Sequence, residues 1–500
     1  MMSNTRRFGR RHRRRRHPSL AVPGVAAVAL AALASTAADR SHAESSGASS
    51  RDAASVRPSS SGDVPALPVA PTSGVSPYLP TGPTYFSAIR RPDERGNVAV
   101  CSFRRPVCVH ARRGLPRAAL LGTLADLENA SALLVDTLGL PAPLADGRAG
   151  GSAAFDLYLV PPDARELDGG SVTTTRDDPD PAPFDRASAF ALLREDMPAA
   201  SIRANLVARA FASGIAWGVD AGEAPTVRES HAAYLAELVA PCSTVSTELI
   251  DDFQAHPERA VTAPGAAGYA VGMALPWYLD VALGRGIPGA IPMALAVISG
   301  QRTRSAGLRW DNEPDLFDAL RSTLKARTPV STIADFWLDF AVSRLFMGSR
   351  DDGVHFPETA FSGSAGRVRF DWSVPYTSLP RRLSPERPID PTGATYTWVD
   401  LRGAPPQTRL VFRVEWEAPV PFRWALVRIA SDGTEASRVL VTSQQKATVA
   451  ERNLDALDGL SGVAVVGVNI GDLALDDPFD PDHTPYEPHS YVLTIAAEQL

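Results

Sequence analysis

The chain has 500 residues, and at roughly 100–200 residues per domain that length accommodates two or three folded units. Hydrophobic residues make up 44% and charged residues 21%. This balance excludes a chain disordered throughout and a multi-span membrane protein.

Residues 1–43 carry nine arginines against one acid, Asp39. Eight of the arginines lie between Arg6 and Arg16, followed by the apolar run Leu20–Leu33 and by Ser41-His42-Ala43. A basic head, an apolar stretch and a small-residue site together predict a secretory signal peptide. The competing reading is a nucleic-acid-binding arginine arm, but such arms are not followed by an apolar run. The run is also shorter than the ~20 residues that span a membrane comfortably, so no membrane span is expected after cleavage. Arg6-Arg7 leaves the general and twin-arginine export routes both open. Without the leader, 41 basic and 55 acidic residues remain, a net charge of −14 that argues against a nucleic-acid partner. The expected location is outside the cell, in the periplasm or in the cell envelope.

Residues 44–80 are Ser, Ala, Pro and Gly with few large apolar groups, and read as a disordered linker. Folded sequence is expected from about Thr84-Tyr85-Phe86. Three cysteines follow: Cys101, Cys108 and Cys242. Cys101 and Cys108 lie in the strand-like stretch 98–109, with Arg104-Arg105-Pro106 as the bend, which predicts a hairpin disulfide and leaves Cys242 unpaired.

Pro116–Leu138 has leucines at helical spacing and Gly139 as a stop. Phe155–Val160 is a short β run ended by Pro161-Pro162, and 163–186 reads as a loop. From 187 to about 348 the chain reads as mostly helical. Its predicted helices are Ala204–Trp217, small and apolar nearly all round, then Val227–Leu238, Tyr269–Leu283, Ala294–Ile298, Asp315–Leu324 and Thr332–Phe346. After about 360 come seven strand-like segments: Val368–Trp372, Thr395–Trp398, Leu410–Trp416, Trp424–Ile429, Arg438–Val441, Gly462–Val468 and Tyr491–Ile495. They predict a separate β-sandwich over 361–500. Trp372, Trp398, Trp416 and Trp424 are read as core and edge packing rather than as a sugar platform. Asp476, Asp477, Asp480 and Asp482 are interrupted by Pro478 and Pro481, so a solvated acidic turn is expected rather than a calcium loop. The fold class is therefore α+β: a largely helical domain over 81–360 with a small N-terminal β part, then an all-β sandwich.

The chain has no His-x-x-x-His pair, no Gly-x-Ser-x-Gly elbow and no Cys-x-x-Cys pair. One succession of segments still has a shape. It runs from the strand Asp156–Val160 to the small-residue helix Asn205–Gly214 and the segment Val227–Glu237 with Glu229, His231 and Tyr234. Gly268–Leu279 and Phe336–Ala341 follow. This order resembles exported zinc metallopeptidases of the gluzincin type, particularly secreted myxobacterial ones, over roughly residues 98–348. The resemblance implies a strand followed by a His-Glu-x-x-His helix, and a second helix that supplies a third, glutamate ligand.

The frame falls on Ala208-Arg209-Ala210-Phe211-Ala212. Both histidine positions are alanine, and the general-base position is arginine. Only Glu229 remains of the ligands, and one carboxylate cannot hold zinc. His231 is two residues further on, and i and i+2 do not share a helix face. No metal, no cofactor and no catalytic residue is expected. The resemblance implies instead a degenerate scaffold that binds an unidentified protein or polysaccharide. An active hydrolase with other ligands and an envelope structural protein are the alternatives. Arg209 would stand where the base stood, and a guanidinium matches a carboxylate. An Arg209–Glu229 ion pair is therefore expected, with side chains within about 4 Å.

Overall fold

The computed structural model describes residues 89–92, 96–167, 170–179, 186–262, 273–284, 289, 292, 314–327, 332–356, 366–417, 422–441, 449–471 and 488–499. The leader, the 44–80 linker, the Ala294–Ile298 helix, the acidic turn at 476–482 and the chain on either side of 361 lie outside these residues. The fold contains both helices and sheets, as expected.

The N-terminal β part is a five-stranded sheet, built from β1 (Asn97–Cys101), β2 (Val107–Arg112), β3 (Phe155–Val160), β4 (Val172–Pro179) and β5 (Ala187–Arg194). Its order is β1-β2-β3-β5-β4. Strands β2, β3 and β5 run parallel, and the edge strands β1 and β4 are antiparallel to their neighbours. The stretch 163–186, expected as a loop, contains β4. Its Val-Thr-Thr-Thr run is β-branched and half-hidden among Asp, Gly and Pro. Strand β5 opens the region expected to be helical. Its sequence, ASAFALLR, has no alternation because the strand is buried on both faces, as central parallel strands are. Helix α1 (Arg117–Ser131) connects β2 to β3 and continues as a π turn to Thr137. By length and composition Arg117–Thr137 is apolar enough to cross a membrane. Here Leu120, Leu124, Leu127 and Leu134 face the core.

The helices that follow are α2 (Ala200–Val219), α3 (Pro225–Val239), α4 (Ser243–Ala255), α5 (Ala274–Leu283), α6 (Leu316–Arg327) and α7 (Ile333–Arg344). Helix α4 was not among the expected elements, because its STVSTELIDDFQA sequence has a polar first half. Helix α7 begins on a capping box between Thr332 and Asp335.

The C-terminal part holds two sheets, β11-β10-β13-β8-β6 and β12-β9-β14-β7. Their strands are β6 (Trp372–Pro375), β7 (Arg381–Leu383), β8 (Ala394–Asp400), β9 (Thr408–Trp416), β10 (Phe422–Ala430), β11 (Glu435–Val441), β12 (Val449–Leu454), β13 (Leu460–Asn469) and β14 (Tyr491–Gln499). Strands β7 and β12 add to the expected set, and the 368–372 segment pairs as a strand only from Trp372 onward. Strand β10 explains how this sandwich sits. Trp424 and Leu426 point into the core between the two sheets. Ala425, Val427 and Ile429 point the other way, into the core shared with the helices. The sandwich thus has a core of its own, but one outer face is closed by α7, and the Tyr396 hydroxyl donates to the Ala341 carbonyl at 2.8 Å. Trp416 and Trp424 are buried as expected.

Glu258, just after α4, pins the two parts together. It accepts from Arg369 at 3.0 Å and Arg387 at 2.8 Å. Burial raises its pKa, but the hydrogen bond from Arg387 and the charge of Arg369, with His256 3.6 Å away, outweigh burial and bring it to about 2. A folded pKa below the ordinary 4.5 means stabilisation that is complete above pH 4.5 and lost as the pH falls towards 2. Glu258→Gln should therefore cost about 1.5–3 kcal/mol at pH 7 and much less at pH 2.5, read from urea midpoints across that range.

Candidate functional site

The site is carried by α2 and α3. Strand β5 leads through a short turn into α2, in which Ile202 and every residue from Asn205 to Val219 are buried. Small side chains allow that burial. Gly214 faces Phe155 of β3, and an added Cβ would sit 2.5 Å from its ring. Phe155 is held in turn by an edge contact with Phe211 at 5.5 Å. Gly214→Ala is therefore expected to destabilise the fold by about 1–2 kcal/mol, overpacking outweighing alanine's better helix propensity. A lowered urea midpoint is the readout.

Helix α3 packs along α2 and brings Glu229 to Arg209. The Arg209 Nη2 donates to Glu229 Oε2 at 3.1 Å, and the Ser213 hydroxyl donates to Glu229 Oε1 at 3.0 Å. Arg209 and Ser213 are four residues apart and share one face of α2. The Arg209 side chain is 2% exposed and that of Glu229 is 22% exposed. The ion pair expected from the sequence is present. Ser213 is the member of the site that the sequence pattern did not single out; its i+4 spacing from Arg209 was the available signal.

Ala208 and Ala212 are fully buried methyl groups and offer no donor atom. The remaining carboxylate is already shared between a guanidinium and a hydroxyl. These residues do not fit a zinc ion. His231 lies apart from the pair, in a small apolar space with Val227, Phe253 and Leu275. Burial lowers its pKa to about 4, so its ring is neutral at pH 7.

A second polar cluster lies at the N-terminal sheet. Asp156 of β3 is fully buried and accepts from His110 Nε2 at 2.9 Å and from Arg91 at 2.5 Å. Arg91 also meets Asp146 and Asp177, both at 2.6 Å. His110 stacks on Tyr158, with centroids 4.5 Å apart. These residues are scattered over 86 positions of sequence, with no motif to mark them. Cys108, His110 and Asp156 place ligand-type atoms within 4.8 Å of one another. The Cys108 sulfur is bonded to Cys101, however, and a disulfide sulfur is not the thiolate a metal needs.

The disulfide is the predicted one. Cys101 and Cys108 are directly opposed on β1 and β2, with Cα atoms 4.0 Å apart, and Cys242 is free and buried. The bond fits a non-cytoplasmic location.

No family model matches the chain, and no curated protein matches it. Among solved structures, the pre-peptidase C-terminal domain of collagenase from Bacillus anthracis matches at 10% identity and a TM-score of 0.17, over 25% of this chain and 96% of that one. The VP2 subviral particle of infectious bursal disease virus matches at 9% identity and a TM-score of 0.14, over 24% of this chain and 30% of that one. Likenesses at these TM-scores carry no argument about function.

Proposed function

We propose that this chain is an exported, catalytically degenerate relative of the gluzincin metallopeptidases, which binds a protein or polysaccharide partner rather than cleaving a substrate. The observation that carries the reading is the Arg209–Glu229 ion pair at 3.1 Å. The resemblance assigns ligand, base, ligand and ligand to positions 208, 209, 212 and 229. Those positions here hold two methyl groups and an Arg–Glu ion pair. The resemblance sets the strand Asp156–Val160 before the helix; here β4 and β5 come between that strand and α2, and α3 follows alongside α2. The leader sequence and the disulfide support export.

Hydrolysis at such a site needs an activated water and a base to take its proton. The guanidinium at 209 is a permanent cation and takes no proton at neutral pH. The Ser213 hydroxyl donates to Glu229, a carboxylate already engaged by Arg209. Purified full-length chain incubated with casein and with quenched fluorogenic peptides is expected to give no chelator-sensitive cleavage. Cleavage that o-phenanthroline stops and zinc restores would overturn the reading.

A further inference from the structure

A cavity of about 590 Å³ opens where the end of the helical part meets the sandwich. It shares no residue with the Arg209–Glu229 site, so what binds here does not depend on the loss of the zinc site, although a glycan here rests on and deepens the polysaccharide-binding reading above. Its size is that of a small-molecule site, and junctions between structural layers are common places for one. Two half-buried aromatic rings, Phe370 and Trp398, line one side, with centroids 6.1 Å apart and planes tilted by 37°. The Arg350 guanidinium lies 4.5 Å over the Phe370 ring. Burial and the nearby Arg367 lower its pKa to about 10, so it is a cation at pH 7.

The rest of the lining is polar and of both signs. Asp351 accepts from the Gly353 N–H at 2.7 Å through one oxygen. Asp432 accepts from the Thr434 N–H at 3.0 Å and its hydroxyl at 2.7 Å, also through one oxygen. The second Asp351 oxygen and the Ser373 hydroxyl have no partner among the described residues. An anionic ligand would meet three carboxylates, Asp351, Asp432 and the His355-paired Asp352, and a cationic one would have to sit beside Arg350. A neutral ligand with hydroxyl groups finds an acceptor, a donor and a hydroxyl that serves as either. Aromatic faces add a place for a flat apolar surface. A pyranose ring has both features, hydroxyls around its rim and C–H bonds on its face.

We propose that this cavity binds a neutral carbohydrate, stacked on Trp398 beside the Phe370–Arg350 pair and hydrogen-bonded to Asp351, Asp432 and Ser373. Trp398 would then be an exception to the packing role that its sequence context implies.

The test is calorimetry and saturation-transfer NMR on the full chain. The probes are cellotetraose, chitotetraose, maltotetraose and laminaritetraose, with spermine and citrate as charged controls. At least one tetrasaccharide is expected to bind with a Kd below about 1 mM, and Trp398→Ala should weaken it at least tenfold. Because Trp398 also packs on the core, Ser373→Trp provides a second variant at an exposed position. It should block binding equally while leaving the melting temperature unchanged. Retention on the matching insoluble polymer would identify a wall or matrix glycan as the source, and its absence a free oligosaccharide. Either result supports the site. Silence from all four sugars, undiminished binding to Ser373→Trp, or binding of a charged control alone would overturn it.

Discussion

Arg91→Met is expected to lower the unfolding free energy by about 3–5 kcal/mol, the cost of removing one partner from a buried ionic cluster. The variant strips the shared cation from three carboxylates at once. Asp156 is fully buried, Asp146 is 1% exposed and Asp177 is 16% exposed. The methionine would fill much of the same volume over Phe190, where the guanidinium now stacks at 4.7 Å, so the loss is electrostatic rather than a cavity. Burial already raises the Asp146 pKa to about 6, against the opposing charge of Arg91. Without that charge its carboxyl should protonate more readily still. The cost of Arg91→Met should therefore shrink as the pH falls from 8 to 5, which urea midpoints at the two values would measure. A uniform loss at both would mean that packing, not charge, is what Arg91 supplies.

Glu229→Ala is expected to cost about 3–5 kcal/mol, and Arg209→Met only about 1–2 kcal/mol. The asymmetry comes from burial. Deleting the glutamate takes a carboxylate from a guanidinium that is 2% exposed. Deleting the arginine leaves a carboxylate that is 22% exposed and still holds Ser213. The double variant should cost less than the sum of the two, since neither charge is then left behind, and a double-mutant cycle in urea would give that coupling directly. Additive losses would mean that the pair contributes nothing to holding α2 against α3.

How far these features were legible in the sequence depends on how local they are. The Cys101–Cys108 bridge joins residues seven apart across one hairpin, and a bend between two strand-like runs is a local signal. Helices α2 and α3 declare themselves by apolar runs, and the i+20 pair between Arg209 and Glu229 follows once a frame fixes which faces meet. Strand β5 is different. Its Ala- and Leu-rich sequence suits a helix as well as a strand, and only its place between β3 and β4 decides. The edge strand β4 is similarly ambiguous, its threonines being ordinary loop residues until Thr173, Thr174 and Thr175 are buried. The Arg91 cluster was not legible at all. Three strands and two irregular segments supply it, and no spacing rule connects an arginine at 91 with aspartates at 146, 156 and 177. The closing of one sandwich face by α7 was hidden in the same way, since an alternating strand reads alike whether its second face meets water or a helix.

If a charge pair stands where the resemblance places a metal, the purified wild-type chain should carry no zinc. After expression in zinc-supplemented medium and desalting, inductively coupled plasma mass spectrometry is expected to find none above the buffer blank. The Glu229→Gln variant should give the same result. One zinc per chain in the wild type, lost in Glu229→Gln, would contradict the substitution of zinc by Arg209.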